Sequence, residues 1–380
     1  HPAVVRAGRR QMGVLNTNTR YLHETILRYA ERLAALFPDP LSVCLFVNSG
    51  SEANELALRL ARAHTRGDAV VSLEGGYHGS TQACIDVSHY KFAGRGGGGA
   101  PPWVHAAAMP DSFRGLYRSS DPARASRYAA HVGEGFERLA SGGHTASAFL
   151  AEGILSCGGQ IEPPGGYLAA AYEHARAAGA LCIADEVQIG FGRVGSHMWG
   201  FEVGGVVPDI VTLGKPIANG HPLGAVVTTP EIATSFDNGM EFFSTCGGNP
   251  VSAAIGLAVL DVIDREQLQT HAAEVGGKLK TSLGALAGKH EVIGDVRGRG
   301  LFLGIEFVRN RQSLEPAAEV ATYAVSHMKE RGILLSADGL DGNVIKIKPP
   351  MPFSEADSVR LVRELDGVLS HDLVGTLIGT

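Results

Sequence analysis

Short, nearly unbroken apolar runs alternate along the chain with longer stretches in which apolar residues return every three or four positions. The runs Val43–Val47, Ala69–Leu73, Val104–Ala108, Ala148–Ala151, Leu181–Ala184, Ile210–Leu213 and Ala225–Thr228 have the length and composition of buried strands. The helical rhythm shows in Ala53, Leu56, Ala57, Leu60 and Ala61, in Tyr167 to Ala178, and after Pro250 in Ala254, Ile255, Ala258, Val259 and Val262. Strand and helix in alternation predict an α/β fold with a mainly parallel sheet. A second group, Leu301–Phe307, Ala317–Met328, Val344–Ile347 and Glu355–Leu369, reads as a compact α+β unit. The expected division is a large α/β domain over residues 1–260 and a smaller C-terminal α+β domain over 261–380. Gly94 to Gly99, with Ala100-Pro101-Pro102, reads as a flexible surface loop.

Composition narrows the classes of partner. With 380 residues, 44% hydrophobic and 19% charged, the chain has material for more than one ordinary core. A net charge of -6, a pI near 6.2 and the lack of any Lys/Arg block with interleaved aromatics argue against nucleic acid and acidic membranes as partners. No apolar run reaches the length of a membrane span, and His1-Pro2-Ala3-Val4-Val5 has no signal-peptide organisation. Because the sequence starts abruptly and without Met, something upstream is expected to be missing. Cys44, Cys84, Cys157, Cys182 and Cys246 are odd in number and form no C-x-x-C pair, which points to reduced thiols and a cytoplasmic setting.

The chemistry-bearing residues fall where predicted strands stop. Ile183-Ala184-Asp185-Glu186 ends an apolar strand in acids, and Thr212-Leu213-Gly214-Lys215 ends one in a lysine. A lysine to form an imine and a carboxylate to keep a pyridine nitrogen protonated are what pyridoxal phosphate requires. Glu152 closes Phe149-Leu150-Ala151, a third polar strand end, and ligands of α/β sheets sit outside such ends. Asn48-Ser49-Gly50-Ser51, between strand and helix, offers free N–H groups and a helix dipole to an anion, and equally reads as an ordinary helix N-cap. Tyr77 follows the strand ending at Leu73; its ring either lies over a planar cofactor or packs on its neighbours. Gly190-Phe191-Gly192-Arg193-Val194-Gly195 matches G-x-G-x-x-G but opens no helical pattern, so it reads as a Gly-rich turn rather than a dinucleotide site. Asp185 with Glu186 lacks a third ligand at metal-binding spacing, so no metal is expected.

Taken together, Asn48-Ser-Gly-Ser-Glu-Ala-Asn54, Tyr77-His-Gly79, Ala184-Asp-Glu-Val-Gln-Ile-Gly-Phe-Gly-Arg193, Leu213-Gly-Lys215 and Thr245-Cys-Gly-Gly-Asn-Pro250 resemble the class III aminotransferases, PLP-dependent enzymes of fold type I. The stretches Asn16 to His23, Ser156-Cys-Gly-Gly-Gln160 and Leu334 to Met351 are most similar to the ethanolamine-phosphate phospho-lyase branch. The resemblance implies Lys215 as Schiff-base lysine and proton-transfer base, Asp185 on the pyridine nitrogen and Gln188 on the ring hydroxyl. It further implies Gly50 and Ser51 on the cofactor phosphate, Tyr77 stacked on the ring, and Thr245 reaching the phosphate of a neighbouring subunit, hence a homodimer with shared active sites. The family's N-terminal segment, ahead of the His-Pro motif, is absent from this sequence.

One departure bears on substrate. Where amino-acid-using members carry an arginine that clamps the substrate carboxylate, this strand reads Val344-Ile345-Lys346-Ile347-Lys348. A point charge replaces a bidentate fork, which favours a substrate without a carboxylate, although Lys346 also reads as an ion-pair partner of Glu152. The expected reaction is therefore β-elimination of phosphate from O-phosphoethanolamine, giving acetaldehyde, ammonia and phosphate, with Arg20, Arg193 and Lys346 as candidate phosphate contacts. The alternatives are an ω-aminotransferase using a keto acid and, further off, a PLP-fold protein without catalysis.

Overall fold

The computed structural model describes residues 1–379. Seven strands form the main sheet: β1 (Val43–Val47), β2 (Ala69–Leu73), β3 (Val104–Ala107), β4 (Ala146–Ala151), β5 (Leu181–Asp185), β6 (Ile210–Leu213) and β7 (Gly224–Thr228). Their spatial order is β1-β7-β6-β5-β4-β2-β3. The pairs β2–β3, β2–β4, β4–β5 and β5–β6 are parallel, whereas β7 runs antiparallel to both β6 and β1. The apolar runs are continuous because helices cover both faces of the central strands; every residue of β2 and β6 is buried.

Local sequence sets the helices that position the site. Ser49 caps the helix Gly50–Thr65, its hydroxyl accepting the N–H of Glu52 at 3.1 Å, and Ala53, Leu56, Ala57, Leu60 and Ala61 are buried against the sheet. The helices Arg124–Ser141 and Tyr167–Ala177 cover the opposite face. Val251, Ile255, Val259 and Val262 of the helix Pro250–Arg265 join a core with Leu213 and Ile217. Residue 260, where the sequence pattern divides the chain, lies inside this helix.

A second, antiparallel sheet has the order β10-β11-β9-β8, from β8 (Ile293–Arg299), β9 (Phe302–Phe307), β10 (Ser336–Asp338) and β11 (Val344–Ile347). It packs with the helices Leu268–Lys289, Ala318–Glu330 and Glu355–Leu369. Two of its strands are absent from the apolar pattern. β8 reads Ile-Gly-Asp-Val-Arg-Gly-Arg and β10 Ser-Ala-Asp; both are edge strands held by ladder bonds to β9 and β11, and of β8 only Ile293 and Val296 pack on the apolar core.

Candidate active site

Because β4, β5 and β6 are parallel neighbours, their carboxyl ends place Glu152, Asp185 and Gly214-Lys215 side by side. β1 points the same way across antiparallel β7 and brings Ser49, Gly50 and Ser51 to the same end. All of these but Gly214 line one cavity with Asn54, Tyr77, His78 and Gln188. Close packing there depends on two glycines. A Cβ at Gly50 would fall 2.7 Å from Val187 Cγ1, and one at Gly214 would fall 3.0 Å from Gly50 Cα. Lys215 itself sits at φ +38°, a left-handed conformation unusual for a side-chain-bearing residue, which marks a position held by its surroundings.

Asp185 is buried and fully supported. His78 Nδ1 donates to its Oδ2 at 2.9 Å, Asn54 Nδ2 donates to the same oxygen at 2.9 Å, and the Val187 N–H donates to Oδ1 at 3.1 Å. Burial by itself would raise the pKa; the hydrogen bonds and charge of His78, with Asn54 and the Val187 amide, hold it below the ordinary aspartate value, so the group is a carboxylate. Asn54 is oriented in turn: its Oδ1 accepts from Thr212 Oγ1 at 2.7 Å and its Nδ2 also donates to the His78 carbonyl at 2.7 Å. Glu152 goes the other way. Burial, then the charge of Asp185, raises its pKa, and its Oε2 is buried without a hydrogen-bond partner among the described residues. Two neighbouring carboxyls are thus driven apart, the pKa of one lowered and that of the other raised.

A directed chain leads out of this cavity. Lysine only donates, so Lys348 Nζ, 2.6 Å from Gln188, fixes the Gln188 carbonyl toward itself; the amide then donates to Ser156 Oγ at 3.0 Å, and Ser156 donates to Glu152 Oε1. Gln188 keeps a second amide hydrogen for a ligand. An adjoining cavity of about 530 Å³ is lined by Gln188 and Lys215 together with Arg193, Phe191 and Lys348. Arg193 is held there by the carbonyls of Leu301 (3.1 Å) and Pro349 (2.8 Å) and has no carboxylate partner among the described residues.

Not every sequence-predicted residue gathers here. Arg20 is exposed, 3.2 Å from Glu241 and stacked 4.4 Å over Phe243, and lines neither cavity. Thr245 is exposed and likewise lines neither. Lys346 does not pair with Glu152: the antiparallel β10–β11 ladder sets it beside Asp338, 3.0 Å away, while Glu152 is taken by Ser156. The sequence reading passed over His78, Asn54, Ser156 and Lys348. All lie in or beside the motifs that carry the resemblance, yet spacing alone does not show that residues 54, 78 and 185 meet at one carboxylate.

A strand-end lysine beside a buried, hydrogen-bonded aspartate, with a capped helix N-terminus across the same cavity, defines a pyridoxal phosphate site. The family model for aminotransferase class-III matches residues 1–369, and the chain belongs to that family, whose cofactor, pyridoxal 5'-phosphate, is its own. It is 49% identical over 94% of its length to an alanine–glyoxylate aminotransferase 2-like protein of Drosophila melanogaster, covering 74% of that protein. It is 40% identical over 97% of its length to an ethanolamine-phosphate phospho-lyase homolog of Caenorhabditis elegans, covering 82% of it. Among solved structures, a phospholyase from Arthrobacter in complex with phosphoethanolamine superimposes with a TM-score of 0.92 at 38% identity, over 97% of this chain and 87% of that one. The residues present fit the cofactor, as the ionised Asp185, the Cβ-free approach at Gly50 and the free amide hydrogen on Gln188 require.

Proposed function

We propose that the chain is a phospho-lyase that removes phosphate from O-phosphoethanolamine or a close relative. The observation that carries the reading is the cavity next to Lys215: it contains a guanidinium, Arg193, with no carboxylate partner among the described residues, while the lysine standing at the family's carboxylate-clamp position is engaged by Asp338. A half-buried cation held only by carbonyls is a place for an anionic ligand group. The Arthrobacter phospholyase and the C. elegans homolog support the same reading.

Bound pyridoxal phosphate supplies an aldehyde for the substrate amine and an electron-accepting ring. In the proposed division of labour Lys215 provides the amine that holds the aldehyde and the base that takes the proton from the amine-bearing carbon. Asp185 keeps the pyridine nitrogen protonated, Gln188 donates to the ring hydroxyl, Gly50 and Ser51 offer N–H groups to the cofactor phosphate, and Tyr77 covers the ring. Glu152 positions Gln188 through Ser156. Arg193 receives the substrate phosphate. Exposed Thr245 is proposed to reach the cofactor phosphate of a second copy in a homodimer.

The second reading, amino transfer to a keto acid, is favoured by the name of the Drosophila relative. Incubating the PLP-loaded protein with O-phosphoethanolamine, without any keto acid, decides between them. Inorganic phosphate should appear over many turnovers; no release, with turnover only when a keto acid is added, refutes the lyase.

A further inference from the structure

We propose that Lys348 contacts the substrate phosphate alongside Arg193 and gives it a proton as the carbon–oxygen bond breaks. The proposal rests on the phospho-lyase reading above and concerns a residue to which neither the sequence nor the family resemblance assigns a role.

Geometry places Lys348 at the reaction. It follows β11 directly and shares a strand face with Lys346, two positions earlier. Lys346 turns to Asp338; Lys348 Nζ instead lies 2.6 Å from Gln188 and 5.0 Å from the centre of the Phe302 ring, in the cavity that contains Lys215. Its neighbour Pro349 holds Arg193 through a 2.8 Å hydrogen bond, so the two cations are tied to one short backbone segment. Neither has a carboxylate partner among the described residues. Of the other ionisable lining groups, Lys215 is the amine that holds the cofactor aldehyde, and His1 and Glu266 pair with each other at 2.9 Å. The cavity therefore offers an uncompensated double positive charge and two sets of donors, the complement of a phosphate ester dianion.

The chemistry needs a proton there. When the carbon–oxygen bond of such an ester breaks, the bonding pair goes to oxygen, and phosphate would leave as the trianion unless that oxygen is protonated. In the proposed step Lys215 Nζ takes the proton from the amine-bearing carbon, and Lys348 Nζ passes one of its own to the departing oxygen. Hydrogen phosphate leaves, and Lys348 remains neutral until solvent reprotonates it. Burial, then the charge of Lys346, lowers the Lys348 pKa to about 8, opposed by Asp338, Glu152 and Cys157; Arg193 and Lys215 face it across the cavity. A lysine so placed is charged near neutrality and still gives up its proton readily.

Two variants test this in the PLP-loaded protein. Lys348→Met should lose about tenfold or more in affinity for inorganic phosphate, followed by calorimetric titration. Lys348→Arg keeps the charge but does not release a proton, so it should hold phosphate and KM within a few fold of wild type while kcat for phosphate release falls by about 100-fold or more. In wild type, kcat should fall as pH rises past the lysine's titration, and Lys348→Arg should lack that limb. If wild type releases phosphate but Lys348→Met binds it unchanged, or Lys348→Arg retains kcat, the role of Lys348 is overturned and the lyase stands. If wild type releases none, the lyase reading falls, and this proposal with it.

Discussion

Replacing His78 by Leu tests whether the charge on Asp185 is built by its neighbours. The side chains are similar in volume, and His78 Nε2 has no hydrogen-bond partner among the described residues, so the substitution removes chiefly one contact, the 2.9 Å bond to Asp185 Oδ2. The backbone bonds of residue 78, from its N–H to Ser88 Oγ and from Asn54 to its carbonyl, are retained. A hydrogen bond to a charged, buried acceptor contributes about 1.5–3 kcal/mol, and its loss raises the Asp185 pKa. Because that pKa lies below its unfolded value in wild type, the stability it contributes is present above the ordinary carboxylate range and is lost as pH falls through the folded pKa. Urea titration of the cofactor-free protein should thus show the His78→Leu variant about 1.5–3 kcal/mol less stable than wild type at pH 7.5, with the gap narrowing below about pH 5. His78→Asn, which keeps a donor near the Nδ1 position, should recover part of the pH-dependent component. A gap of the same size at both ends of the pH range would show that His78 contributes packing alone.

Two further outcomes follow from the same cavity. Gly50→Ala should weaken pyridoxal phosphate retention by about tenfold or more, read from the cofactor absorbance on dialysis, because the new Cβ would lie 2.7 Å from Val187 Cγ1; adding Val187→Ala should restore much of it, and no restoration would sink the steric explanation. Glu152 has its pKa raised by burial and by Asp185, so the stability of its protonated form is complete below the unfolded carboxylate range and lost as pH rises through the raised value; Glu152→Gln should gain on wild type in thermal melts as pH rises above the unfolded carboxylate range, and a constant difference would refute this.

Much of the architecture was legible in the chain because the central strands are buried on both faces and had to be written as apolar runs. The predicted strands from Val43 to Thr228 match observed ones to within two residues at either end, and the helix predicted from Tyr167 to Ala178 is observed from Tyr167 to Ala177. The edge strands β8 and β10 were not legible, since ladder bonds to a neighbour leave no hydrophobic signature in Ile293–Arg299 or Ser336–Asp338. For the same reason the partner of Lys346 was misread. Its identity rests on the register that sets Ser336 opposite Lys346 and carries Asp338 to within 3.0 Å, a pairing between segments whose alignment no local pattern records.

The sequence by itself determined the family, the cofactor and the lysine–aspartate pair, because strand-end placement and motif order are properties of a one-dimensional string. Only the tertiary structure decided the charge states and the partners. Asp185 is ionised because residues 54 and 78, far from it in sequence, converge on one of its oxygens; the Glu152 pKa is raised because burial costs its charge more than Ser156 returns. The lysine that faces the catalytic cavity is Lys348 rather than Lys346, because β10 supplies a carboxylate to one and Gln188 offers only a neutral carbonyl to the other.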